Sequence, residues 1–397
     1  AGGVRRNVSS QCSMRRWLTY VFLAVACVTQ GQLDSLTWDA TAWGQHRSNA
    51  LSHELGRLLV RGGHINRSLV EAARTAQGDE MGSFGYTSGL ALNWRNPRSW
   101  KDTEARLCGS FQFKTLGDIR WTPELFDLAF TGNAGHLGRW DVLDGSRIRM
   151  ATWLQAAIGL EGVNQNRIEL GLVYHMQSMH GRIRNGHLYV SEELDFLTGY
   201  VRGQMGWAEG GSWGLVTNAE WHFLRQEAPF AFHVRMQNVG FTVATNWTEL
   251  QVDTLVETTG LTLTGQGLSV ESIAESAPAS EVLTTLNQRY RFDLMPFRID
   301  ASFEYPLGPR SGWDVQAQIG DWMPVPRAVT GYRRAIGKQW QMGIQLVAGG
   351  WGRLRPAAWA RWRKPGEHAW MLFIEDPFGW GSKAAYGRGI TLRYQNL

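Results

Sequence analysis

The residues of this chain that could do chemistry fall into three groups: a serine in a glycine-rich pentapeptide, scattered histidines, and charged side chains at alternate positions of strand-like segments. Gly210-Gly211-Ser212-Trp213-Gly214 has the pattern of a nucleophile elbow, where a strand–turn–helix presents the serine to a histidine and an acid. Its surroundings read instead as a hairpin turn, and glycine-rich turns produce the pattern by chance, so no catalytic residue is assigned. His53-Glu54 lacks the second histidine of a zinc-binding helix. His175, His180 and His187 cannot all share one strand face, because positions 175 and 180 differ by an odd number. No metal site and no cofactor is expected. Arg298, Asp300 and Glu304 alternate with apolar residues and would share a face with Asp314 if the next strand registers nearby. Such a cluster could tune the selectivity of a lumen, or its charges could simply neutralise one another in a wet or filled interior.

Those positions lie in segments of period two. From Arg298 to Tyr305 the residues Ile299, Ala301, Phe303 and Tyr305 alternate with Arg298, Asp300, Ser302 and Glu304. The same alternation runs through Trp313 to Ile319 and Gln339 to Leu346, and through Phe84–Trp94, Leu107–Lys114, Ile168–Met176, Phe230–Gln237 and Gly387–Tyr394. With weaker spans near 147–159, 186–202, 213–223, 326–334, 354–363 and 368–375, the count reaches about 14 strands. Two regions break the pattern. Leu51 to Thr75 carries leucines at helical spacing, divided at Gly62-Gly63, and predicts two short helices that plug the lumen, cap the periplasmic mouth, or pack at one barrel end. Trp247 to Gln288 holds Glu249, Asp253, Glu257, Glu271, Glu275 and Glu281 and no base, and reads in part as a long loop.

Alternation alone does not separate a soluble sheet from a membrane barrel, since the polar face meets solvent in one and lines the lumen in the other. A leader decides. Met14-Arg15-Arg16-Trp17 precedes the uncharged run Leu18–Val28 and small residues up to Gly31, the layout of a signal peptide cleaved to leave Gln32 first. Residues 1–13 read as upstream sequence or an extended basic region, and Ala24-Val25-Ala26-Cys27 offers a degenerate lipobox as a rival. Four of the 40 Lys and Arg residues fall in this leader with no acid, so the remainder is close to neutral and a nucleic-acid partner loses its support. Cys108 would be the lone mature cysteine of three, which excludes an internal disulfide. The 20 Trp suit the aromatic girdles of a barrel, and Trp351, Trp359, Trp362, Trp370 and Trp380 read as girdle rather than ligand box. Near the C-terminus, Gly389, Leu392 and Tyr394 have the spacing of a signal for the barrel-assembly machinery.

Several stretches resemble a Bacteroidota family of outer-membrane barrels of unknown function. They are Leu59 to Ile65 with Gly62-Gly63-His64-Ile65, Thr122-Pro123-Glu124-Leu125-Phe126 leading to Phe130-Thr131-Gly132-Asn133, and Arg235-Met236-Gln237-Asn238-Val239-Gly240. The last, with Gly206 to Glu220, is also similar to the barrels of long-chain fatty-acid transporters and of the type IX secretion shuttle protein. The resemblance implies a roughly 14-stranded barrel with an N-terminal segment near or inside the lumen. The Asn-Pro start common after the leader in such barrels is missing here, which leaves a lateral ligand path without support.

The expectation is an all-β protein, a transmembrane antiparallel barrel with a short N-terminal helical segment, in the outer membrane of a Gram-negative bacterium. Its parts would be 1–13 as extension, 14–31 as signal peptide, 32–80 as helical plug or cap and 81–397 as barrel. Its partners would be membrane lipid, the assembly machinery acting on the last strand, and a small hydrophobic ligand or a partner protein. Passage of a small hydrophobic solute through a gated lumen leads, a partner-binding scaffold follows, and an outer-membrane hydrolase comes third.

Overall fold

The computed structural model describes residues 36–99, 104–132, 136–162, 164–193, 196–208, 211–224, 230–259, 283–288, 290–364 and 368–396. The expected leader, the lipobox at Cys27 and the acids Glu271, Glu275 and Glu281 lie outside the described residues. In chain order the elements are β1 (Thr37–Ser48), α1 (His53–Arg61), α2 (Arg67–Gln77), β2 (Gly82–Ser99), β3 (Arg106–Trp121), α3 (Pro123–Thr131), β4 (Trp140–Val142) and β5 (Arg147–Glu161). There follow β6 (Arg167–Val190), β7 (Phe196–Ala208), β8 (Ser212–Leu224), β9 (Ala231–Ala244), β10 (Trp247–Thr259), β11 (Leu283–Gln288), β12 (Arg291–Leu294) and β13 (Arg298–Gly308). The chain closes with β14 (Ser311–Gly320), β15 (Val325–Ile336), β16 (Trp340–Gly350), β17 (Arg355–Lys364), β18 (His368–Glu375) and β19 (Gly387–Asn396).

Pairing runs β1–β2–β3–β5–β6–β8–β9–β13, and on through β14 to β19, whose Gly387–Asn396 returns to β1. Every pair is antiparallel, and among the described residues the ring closes with 14 strands. Closure satisfies both edges of each strand of this ring, the condition for strands to cross lipid. Tight connections, such as those between β13 and β14 and between β15 and β16, lie at the end that holds both termini. The helices and the long connections lie at the other, which is the arrangement of periplasmic turns against outer loops.

The barrel begins at Thr37, which corrects the division at residue 81. Strand β1 has a weak alternation, because its outward face carries the small Ala40, Ala42 and Gly44 while Trp43 joins Asp39 and Arg47 on the inward face. Helices α1 and α2 therefore follow the first strand instead of preceding it, and sit at the end remote from the termini. Ser52 and Asn66 cap them by accepting from Leu55 N and Leu69 N. Their apolar faces bury Leu55, Val70 and Ala73 against Trp121 and Phe126 of β3 and α3.

One side of the wall rises beyond the rim. The first half of β6 pairs with β8, while its second half pairs with β7, and β7 in turn pairs with β10 and β10 with β11. Thus β7 with β8, β9 with β10, and β11 with β12 and β13 are long strands broken at the rim. Gly211, at φ 79°, makes one break, and a side chain there would strike Tyr174 and the His175 carbonyl. The acidic stretch, read in part as a long loop, is strand at its two ends, Trp247–Thr259 and Leu283–Gln288, and residues 260–282 between them lie outside the described residues.

The outward face is apolar. Ile168, Leu170 and Leu172 are 58, 62 and 60% exposed, as no soluble sheet would leave three successive outward side chains. Near the termini Trp340, Trp362, Trp370 and Tyr394 stand side by side in register, with Trp38 5.0 Å from the Tyr394 ring. This aromatic row above an aliphatic belt, on a closed barrel, makes the chain an outer-membrane protein of the Gram-negative type. Two of the expected girdle tryptophans are elsewhere. Trp351 is buried inside, and Trp359 shares the face of the buried Ala357 and lies over Gly343.

Candidate functional site in the barrel lumen

Two short loops at the helix-bearing end fold into the lumen. Residues 321–324 connect β14 to β15, nearly opposite β3 in the ring, and residues 351–354 connect β16 to β17. Trp322, Met323 and Trp351 pack with Leu116, Ala151, Trp153, Val173, Val216 and Met295, which come from β3, β5, β6, β8 and the approach to β13. An apolar cluster thus lies across a polar-walled tube. Gly85 on β2 makes room for it, since a Cβ there would lie 1.9 Å from the Trp351 ring. Asp321 and Trp322 both adopt positive φ, 49° and 61°, a conformation that L residues hold only when their surroundings impose it.

Ion pairs impose it here. Lys114 Nζ of β3 donates to Asp321 Oδ1 at 2.6 Å, with both side chains 3% exposed. Trp351 Nε1 donates to Asp118 Oδ1 at 2.9 Å. Asp118, fully buried, also accepts from Arg149 at 2.6 Å and from Arg120 and Arg147, each at 3.3 Å. Arg120 Nη2 donates onward to the Trp322 carbonyl at 2.7 Å, and the Arg149 guanidinium lies 4.8 Å from the Trp322 ring centre. A second buried carboxylate, Glu375, gathers Arg47, Arg327 and Arg355 at the same end. In low dielectric such pairs hold geometry firmly, because parting them leaves a buried charge alone.

Of the four residues singled out in the sequence, Arg298 pairs with Asp300 at 2.7 Å and reaches Asp321 at 3.8 Å, which ties both to the inward loop. Glu304 and Asp314 stand in register and share Arg333, at 2.5 and 3.3 Å, nearer the terminus-bearing end. All four occupy the face opposite Ile299, Phe303, Trp313 and Val315. Ser212 starts a strand, buried and in register with His175, whose Nε2 is 2.9 Å from Met295 Sδ; no helix follows it, so an elbow does not form.

Lys114 and Asp321 carry no local mark, since they meet only across the ring, and the same holds for the Asp118–Trp351 and Glu375–Arg47 contacts. The structure also gathers Glu220, His222 and His233, which symmetry about the β8–β9 hairpin brings into register and which a hairpin reading of that segment would have found.

No family model matches the chain, and no curated protein matches it. Among solved structures it is similar to the toluene transporter TbuX of Ralstonia pickettii, at TM-score 0.41 and 7% identity over 91% of this chain and 89% of that one. A Pseudomonas aeruginosa FadL homologue has TM-score 0.39 and 8% identity over 91% and 88%. The β domain of the Bordetella autotransporter BrkA has TM-score 0.30 and 10% identity over 91% and 99%. The barrel assignment itself rests on the strand pairings and the apolar belt.

Proposed function

We propose that the protein is a gated outer-membrane channel for a small hydrophobic solute, with the loops 321–324 and 351–354 as the gate. The observation that supports this reading is the apolar cluster of Trp322, Met323, Trp351 and Met295 set in a lumen otherwise walled by charge. A solute displacing those side chains would trade one apolar surface for another, whereas a polar solute would leave them facing water. The Lys114–Asp321 ion pair and the Trp351–Asp118 hydrogen bond are the latches. Insertion would proceed through β19, whose Ile390 and Leu392 face outward and whose pairing with β1 closes the ring.

The test is solute permeation and single-channel conductance of the purified chain in planar bilayers and liposomes. The double variant Lys114→Met/Asp321→Leu removes both charges together, so neither is left buried alone. It is expected to raise open probability and permeation of a small aromatic solute at least about tenfold, the effect of about 1.4 kcal/mol on the closed state. A variant that keeps the barrel's heat-modifiable gel mobility but stays as impermeant as wild type would sink the channel. It would move the scaffold reading to the front. That second reading is supported by the raised wall of β7, β10 and β11, a sheet projecting at the loop-bearing end where a partner protein could dock, with Glu249, Asp253 and Glu257 on β10.

A further inference from the structure

We infer that Glu220, His222 and His233 form a binding site for a divalent transition metal ion inside the barrel, a site independent of the gate. The Nε2 atoms of His222 and His233 lie 3.0 and 2.9 Å from one and the same oxygen, Glu220 Oε1. The two imidazoles are direct partners across the β8–β9 pair and stack with ring centres 4.4 Å apart. All three ligand atoms lie within 4.8 Å of one another. Ligands of a tetrahedral zinc ion stand roughly 3.3 Å apart, which follows from bonds of about 2.0–2.1 Å, so the two histidine–carboxylate separations need open only by a few tenths of an ångström.

The surrounding groups hold these atoms in a ligating arrangement. Ser302 Oγ of β13 is 3.3 Å from His233 Nδ1, and an Nδ1–H donated to that oxygen leaves the Nε2 lone pair pointing at Oε1. Two lone pairs cannot face one another at that distance without a proton or a cation between them, and either one fills the gap. Arg235 donates from Nε to Glu220 Oε2 at 3.0 Å and from Nη2 to Oε1 at 3.1 Å. It fixes the carboxylate plane. The site is open to an entering ion, with His222 and His233 side chains 24 and 22% exposed. Two imidazoles and one carboxylate select borderline ions such as Zn2+ or Cu2+ over Mg2+ and Ca2+, and three protein ligands leave a coordination position for water.

The experiment titrates Zn2+ into the untagged, EDTA-stripped full chain in detergent by calorimetry, with Mg2+ as the contrasting ion. One Zn2+ per chain is expected, and His222→Ala or His233→Ala should weaken it at least about a hundredfold. Ser302→Ala should weaken it about tenfold. His64→Ala, in the exposed connection between α1 and α2, should leave it unchanged. Where a variant loses the gel mobility of a folded barrel, the wild type decides: Zn2+ should protect His222 and His233 from diethylpyrocarbonate, mapped by mass spectrometry. Absence of one-to-one binding, equal binding of Mg2+, or binding that survives in a folded His222→Ala/His233→Ala variant would overturn the site.

Discussion

The lumen holds two charge clusters of similar composition and opposite character. Around Asp118 and Asp321, near the helix-bearing end, carboxylates are sealed beneath tryptophans and tied to Lys114 and three arginines. Around Glu220, two histidines and Arg235 meet one carboxylate that water can still reach. Burial is what separates them. In the first, solvent cannot replace a lost partner, so the ion pairs act as structure; in the second, solvent can, so the donor set is available to a ligand.

The sharpest way to break this contrast is Asp118→Ala, which leaves Arg120, Arg147 and Arg149 without their buried counter-charge and frees the Trp351 indole N–H. A loss of about 3–5 kcal/mol is expected, read as a lowered urea midpoint in reversible unfolding of the barrel in detergent or lipid. Glu220→Gln tests the other cluster in the same assay, and its solvent-reached site should cost about 1 kcal/mol or less while abolishing zinc binding. A comparable loss for both would show that burial does not distinguish them. The smallest effect sharpens the scale: Arg67→Ala breaks an exposed pair with Glu71 one turn along α2, with side chains 90 and 61% exposed. Its expected change is about 0.3–0.5 kcal/mol, best read by differential scanning calorimetry at low salt.

Much of the barrel was legible because a lipid-facing wall must alternate. Ile299, Ala301, Phe303 and Tyr305 against Arg298, Asp300, Ser302 and Glu304 need no tertiary information to be read as a strand. Where alternation failed, the reading failed with it. Strand β1 faces lipid with the small Ala40, Ala42 and Gly44 and turns Trp43 inward, so its apolar contrast is weak and the segment reads as one with the helices that follow. Trp351 and Trp359 were taken for girdle because a tryptophan beside a strand end looks the same whether it points out or in. The break at Gly211 looks like a turn, although the chain continues past the rim in nearly the same direction.

By itself the sequence determined the period-two strands, their approximate number, the two short helices divided at Gly62-Gly63 and the polar face that carries Arg298, Asp300, Glu304 and Asp314, because each depends on neighbours a few residues away. Only the tertiary structure decided what fills the lumen. Lys114 meets Asp321 and Asp118 meets Trp351 across the ring, over separations of 207 and 233 residues. Such contacts exist only once β19 has closed on β1 and the loops have somewhere to fold inward. Closure is a property of the whole sheet, and no single segment carries it.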